Sequence, residues 1–247
     1  MRKFLWIILA VVLAGSLSAA SAAFGDSVTG EAAFGGTFTV TSNGIFFNST
    51  GTGSETTQNP IATAPGSSQN LGSFAGLSGG SITDIAGASP VGSHPITKFI
   101  TFNTPSDTIF FDLQTILPGT GLSTDCTISA PGSVCTPVGS PFTLLQETSN
   151  LVALSFALDG IAYTGTSASG SSSANVIFTS QVNGTIAGLL SGTTPVFTST
   201  YSATVDVAPT TATPEPGTVS LMFSGLLGLA LLVGVKRYRG NRLATIA

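Results

Sequence analysis

Cys126 and Cys135 are the only cysteines of the chain, nine positions apart around Ala130-Pro131-Gly132. Two thiols this close, with a turn between them, suit a disulfide in an oxidising compartment. They do not suit a metal centre, because no second Cys or His pair is there to complete tetrahedral ligation. His94, in Gly92-Ser93-His94-Pro95, is the only histidine. It would have to serve as base in any Ser-His-Asp hydrolase, yet no G-x-S-x-G elbow accompanies it, so it reads as a solvated loop residue. The carboxylates are scattered, and no spacing selects two of them for paired acid-base work. Asp84, Asp107 and Asp125 lie near turns and could offer oxygens to calcium, but no D-x-D-x-D-G loop is present, and they read as surface charge. Asn48-Ser49-Thr50 and Asn183-Gly184-Thr185 match the glycosylation sequon on what read as exposed turns. These residues predict no enzyme and no cofactor.

The elements that carry them are unusually poor in charge, at 7% of residues against about 25% for ordinary soluble domains. Arg2, Lys3, Lys98, Lys236, Arg237, Arg239 and Arg242 are all the bases, and only Lys98 lies between residues 24 and 213. Ten acids share that interval, for a formal balance of −9. Such a surface repels phosphate backbones, which excludes nucleic acid as a partner. An apolar fraction of 42% still supplies a core.

The two ends read as addresses. Residues 1–23 follow the secretory pattern: Arg2 and Lys3, the apolar run Phe4 to Ala14, then Ala20-Ser21-Ala22, with cleavage after Ala22 or Ala23. Residues 208–217 form a Thr/Pro-rich linker ending in Pro214-Glu215-Pro216. Residues 218–235 are uncharged and mostly apolar, about the least that spans a bilayer as a helix. Residues 236–247 open with Lys236, Arg237 and Arg239, which the positive-inside rule keeps cytoplasmic. A Pro-Glu-Pro motif, an apolar span and a basic end in this order resemble the PEP-CTERM sorting signal of Gram-negative bacteria, over about the last thirty-five residues. The resemblance implies processing by exosortase, a membrane protease-transpeptidase, and a substrate that accompanies exopolysaccharide and biofilm. The expected path is export, an inner-membrane precursor held by the C-terminal helix, then the cell surface.

Between the addresses, residues 24–207 show strand periodicity. Val152, Leu154, Phe156 and Leu158 alternate with Ala153, Ser155, Ala157 and Asp159. Tyr201 to Val207 and Ile109 to Gln114 alternate likewise, and Ala32–Thr41, Ile45–Asn48, Ile96–Phe102, Phe142–Glu147 and Asn175–Val182 are further strands. Dense turns such as Asn43-Gly44 and Asn183-Gly184 punctuate them. Many short strands of this kind predict an antiparallel β-sandwich, jelly-roll or Ig-like, with Ser49–Gly80 and Thr164–Ala174 as loose excursions. The function expected is a structural or adhesive surface protein. The runner-up, a carbohydrate-binding module, lacks a Trp after residue 6 and has only Tyr163 and Tyr201 besides Phe residues, which fall mostly on core faces. A secreted hydrolase stands third.

Overall fold

Alternation in the sequence becomes a run of strands in the computed structural model, which describes residues 27–63, 70–87, 91–121, 126–165, 170–191 and 197–208. They are β1 (Gly30–Thr41), β2 (Gly44–Phe46), β3 (Gln58–Thr63), β4 (Gly79–Thr83), β5 (Ile85–Ala86), β6 (Gly92–Asn103) and β7 (Thr108–Ile116). After them come β8 (Val134–Cys135), β9 (Thr143–Thr148), β10 (Leu151–Thr164), β11 (Ser172–Asn183), the short helix α1 (Ile186–Leu190) and β12 (Phe197–Val207).

The pairing runs β11-β12-β1-β3-β4-β6-β7-β10, and β10 pairs β11 in turn, so these eight strands close on themselves. The fold is therefore a closed antiparallel β-barrel, and the expected sandwich is overturned. Alternation reports that one face of each strand is buried, which is equally true of a barrel wall and of one layer of a sandwich. What decides is long-range pairing. β10 takes β11 along one edge, while its other edge is divided between β9, over Leu151–Ser155, and β7, over Leu158–Thr164. Closure removes the exposed edges that a sandwich keeps.

Eight strands enclose a space that side chains can just fill. Phe34, Phe38, Phe102, Phe111, Phe156, Phe178 and Tyr201 fill it here, all buried. Phe156 and Phe178, register partners on β10 and β11, stack with centroids 4.6 Å apart and planes 3° off parallel. Phe34 meets Phe102 and Phe178 edge-on. Each buried aromatic contributes about 1.5–3 kcal/mol of transfer free energy, which makes the inner wall the main source of stability. On β11 and β12 the outward positions are mostly polar, as in Asn175, Thr179 and Gln181 and in Thr200, Ser202 and Thr204, with Ile177 an exception.

Three local expectations are corrected. Ser49–Gly80 is not loose throughout, since it contains β3 and the Gly72–Phe74 turn, whose Phe74 is fully buried. Thr164–Ala174 is not all loop, because β11 already begins at Ser172. His94 lies in β6 rather than a loop. Residues 1–26 and 209–247 are outside the described set, and with them fall Ala22, Ala23, Pro214, Glu215, Pro216, Lys236, Arg237 and Arg239. Among the described residues no helix is long and apolar enough to cross a membrane; the apolar run 218–235 is not one of the segments described.

Gly30 on β1 pairs with Val207 on β12. The chain thus enters and leaves the barrel at the same rim.

Candidate functional site

A trough of about 670 Å³ crosses the outer wall over β8, β9, β10, β11 and β12. Its origin is a size difference between neighbouring strands. The outward residues of β10 here are Ala153 and Ser155, while Leu145 and Glu147 on β9 and Thr179 and Gln181 on β11 stand taller on either side. The floor carries two rows that run across the strands. Thr143, Ser155, Thr179 and Ser202 are successive register partners and form a row of hydroxyls. Val134, Leu145 and Ala153, likewise successive partners, form a parallel apolar row that ends at Gln181. Gln181 Nε2 donates to Glu147 Oε2 at 2.7 Å, a bond that passes over β10 because Ala153 is small.

A second feature lies on β6 and β7. Ile96 pairs with Leu113 and Ile100 with Phe111, so Thr97, Lys98 and Phe99 together oppose Asp112 in a bulge. Lys98 takes φ 52°, the left-handed region, and is the non-glycine residue with positive φ among those described. Asp112 holds the bulge: its Oδ1 accepts from the Lys98 backbone N–H at 2.6 Å and from the Tyr163 hydroxyl at 3.0 Å. Burial, then the bond and charge of Asp112, push the Tyr163 phenol up to about 12. The Lys98 ammonium sits 4.6 Å from the Phe110 ring centroid, so the one base of the described barrel is occupied by an aromatic face. The bulge has a packing role, since it turns both Phe99 and Ile100 inward.

Asp84, expected at the surface, is fully buried between β4 and β5. Its carboxylate accepts from the Phe47 backbone N–H at 2.7 Å and from Asn59 Nδ2 at 2.8 Å. Burial raises its pKa, and those two hydrogen bonds oppose the rise. It anchors the segment after β2 and lends nothing to a surface metal site. Asn48, the first sequon residue, is drawn into the same network: its Oδ1 accepts from Thr50 N and Gly51 N, and its Nδ2 donates to Thr52 O. His94 Nε2 lies 2.9 Å from Glu55 Oε1. Asp107 occupies an exposed turn and bonds the Thr108 N–H, and Asp125 is outside the described residues. Among the described residues no three His, Cys, Asp or Glu side chains gather as a metal set.

Cys126 and Cys135 are joined, with Cα atoms 5.4 Å apart. The bridge lies beside Gln146, a buried residue that the sequence did not single out. Gln146 Nε2 donates to Thr148 O and Gly184 O, and its Oε1 accepts from the Ile186 N–H. One amide thus fastens the β9–β10 turn, the end of β11 and the start of α1. Chemically, the outer wall offers hydroxyls, one amide-bonded carboxylate and small apolar patches in a shallow concavity. That is equipment for holding an uncharged polar ligand. The outward row of small residues on β10 was visible in the sequence, but its neighbours on β9 and β11 depend on the closure of the barrel. Compared with family models, with curated proteins and with solved structures, the chain finds no match.

Proposed function

We propose that this chain is an exported surface protein: a secretion signal takes it across the membrane, the C-terminal run holds the precursor there, and exosortase removes the tail. Released or transferred to the surface, the barrel then serves as a structural or adhesive component beside exopolysaccharide. The observation that carries this reading is the order of segments: an n-region and apolar run at the start, then Pro214-Glu215-Pro216, the apolar residues 218–235, and Lys236-Arg237-Tyr238-Arg239. Two features of the barrel support it. The Cys126–Cys135 bridge suits an oxidising compartment. Entry and exit at one rim put both of the chain's outward segments on the same side of the barrel.

The test is mass spectrometry of the native protein from surface and membrane fractions of a bacterium that carries exosortase. A mature start near Phe24 and an end near Pro214 are expected. Replacement of Pro214, Glu215 and Pro216 by alanine should trap precursor in the inner membrane. Surface protein that still ends at Ala247 would overturn the processing. The runner-up, carbohydrate binding, is favoured by one observation, the hydroxyl-lined trough.

A further inference from the structure

We infer that the trough over β8 to β12 binds a linear, uncharged polysaccharide laid across the strands. The direction follows from the ladders beneath. Backbone groups of the trough floor on β10 and β11 are engaged with strands on both sides, so a peptide cannot add itself there as a strand. An occupant must bind through side chains.

Those side chains repeat at the spacing of the strands, about 4.8 Å. Thr143, Ser155, Thr179 and Ser202 present a hydroxyl at each step. One residue pair further along the strands, about 7 Å away, Val134, Leu145 and Ala153 present a hydrocarbon at each step. A sugar chain has the matching pattern. Each unit advances by nearly one strand spacing, offers hydroxyls at its edge and shows C–H groups on its face. A lipid would leave the hydroxyl row unpaired, and such desolvated groups are costly.

Availability is visible in the hydrogen bonds. The hydroxyls of Ser155 and Ser202 have no partner among the described residues. Thr143 Oγ1 accepts from the Thr120 N–H at 2.8 Å and lies 3.4 Å from the Thr120 hydroxyl, a long contact that an incoming acceptor can replace. Charge selects against acidic polymers. The trough contains no base, its one acid Glu147 is engaged by Gln181, and residues 24–213 carry ten acids against Lys98.

This deepens the matrix reading and rests on it only for where the polymer is met. Full-length protein, in detergent if the tail is uncut, would be assayed on a panel of linear neutral glucans, galactans, mannans and xylans, with polyuronate as the charged comparator. Retention by at least one neutral polymer is expected, weakened tenfold or more in the triple variant S155A/T179V/S202A. That variant touches only outward positions and should melt within a few degrees of the parent. Ala153→Arg should abolish retention by filling the floor, and Lys98→Ala, on β6, should leave it unchanged. No retention by any neutral polymer, undiminished retention in the triple variant, or preference for polyuronate would overturn the inference. So would self-association that Ala153→Arg abolishes in a protein that holds no glycan, which would give the trough to a second copy. Binding by an unprocessed protein would fail the sorting reading alone, and processing without binding would fail the trough alone.

Discussion

Lys98 donates its backbone N–H to Asp112 Oδ1 across the β6–β7 bulge, at 2.6 Å, in place of the ladder bond that the bulge interrupts. The same oxygen holds Tyr163 on β10, so one carboxylate joins three adjacent strands of the barrel wall.

Asp112→Ala should therefore cost about 2–3 kcal/mol, since it removes the acceptor of a buried phenol and the one bond that holds the exposed Lys98 N–H in the bulge. Tyr163→Phe, which removes one donor from a half-exposed acceptor, should cost about 1 kcal/mol. Chemical denaturation of the two variants checks the order; equal losses would remove Asp112 from its joining role.

Alkali should reach the same cluster. Tyr163 is raised to about 12 in the folded barrel, above the value of about 10 for a free phenol. Its contribution to stability is present below the free value and lost as pH rises from there through the folded value. The stability difference between parent and Tyr163→Phe should narrow over that interval, and a constant difference would argue against it.

Asp84 gives the acid counterpart. Burial raises its folded pKa above the unfolded one, so its contribution is greatest below the unfolded value and declines as pH climbs through the folded value. Thermal melts of the parent and Asp84→Asn should therefore diverge in favour of the parent as pH is lowered from neutral. Asp84→Ala, which leaves the Phe47 N–H and the Asn59 amide without their acceptor, should cost about 2–4 kcal/mol, and more at acid pH than at neutral.

Reduction of Cys126–Cys135 should cost about 2–3 kcal/mol, the loop-closure value for so short a loop. Thiol labelling of the denatured, unreduced protein should find neither sulfur free. Labelling of both, together with an unchanged melt under reductant, would show the bridge to be absent in solution.

Gly160→Ala tests the closure itself. Gly160 faces Leu113 where the β10–β7 register shifts, and a methyl there would fall on the Asp112 carbonyl oxygen and the Phe111 ring. Loss of several degrees in melting temperature is expected, as is usual for overpacking of about 1–3 kcal/mol. A sandwich with β7 and β10 apart would tolerate the methyl.

Much of the wall was legible residue by residue. Val152, Leu154, Phe156 and Leu158 turn inward as their alternation predicts, and most of the Phe residues do fall in the core, with Phe110 an outward exception. β3 and β4 were not legible. β3 contains Pro60 and turns Asn59 as well as Ile61 inward, and β4 opens on Gly79-Gly80, so neither shows a hydrophobic face of its own. The bulge did leave a trace: Phe99-Ile100, two large apolar neighbours in an otherwise alternating run, cannot both face inward on a regular strand. The trough left half of one, because Ala153 and Ser155 are local facts, whereas Leu145 and Gln181 come beside them only through pairing.

The Gly30–Val207 pairing also sets how the barrel bears load. A pull through Ala208 acts along β12 from its end, and β12 is laddered to β1 on one side and β11 on the other. Force in that direction shears both ladders at once instead of peeling bonds in sequence, and the wall that holds the trough is part of the same sheet. A drag taken up by the outer wall and resisted through Ala208 along β12 would thus be shared by two ladders in parallel.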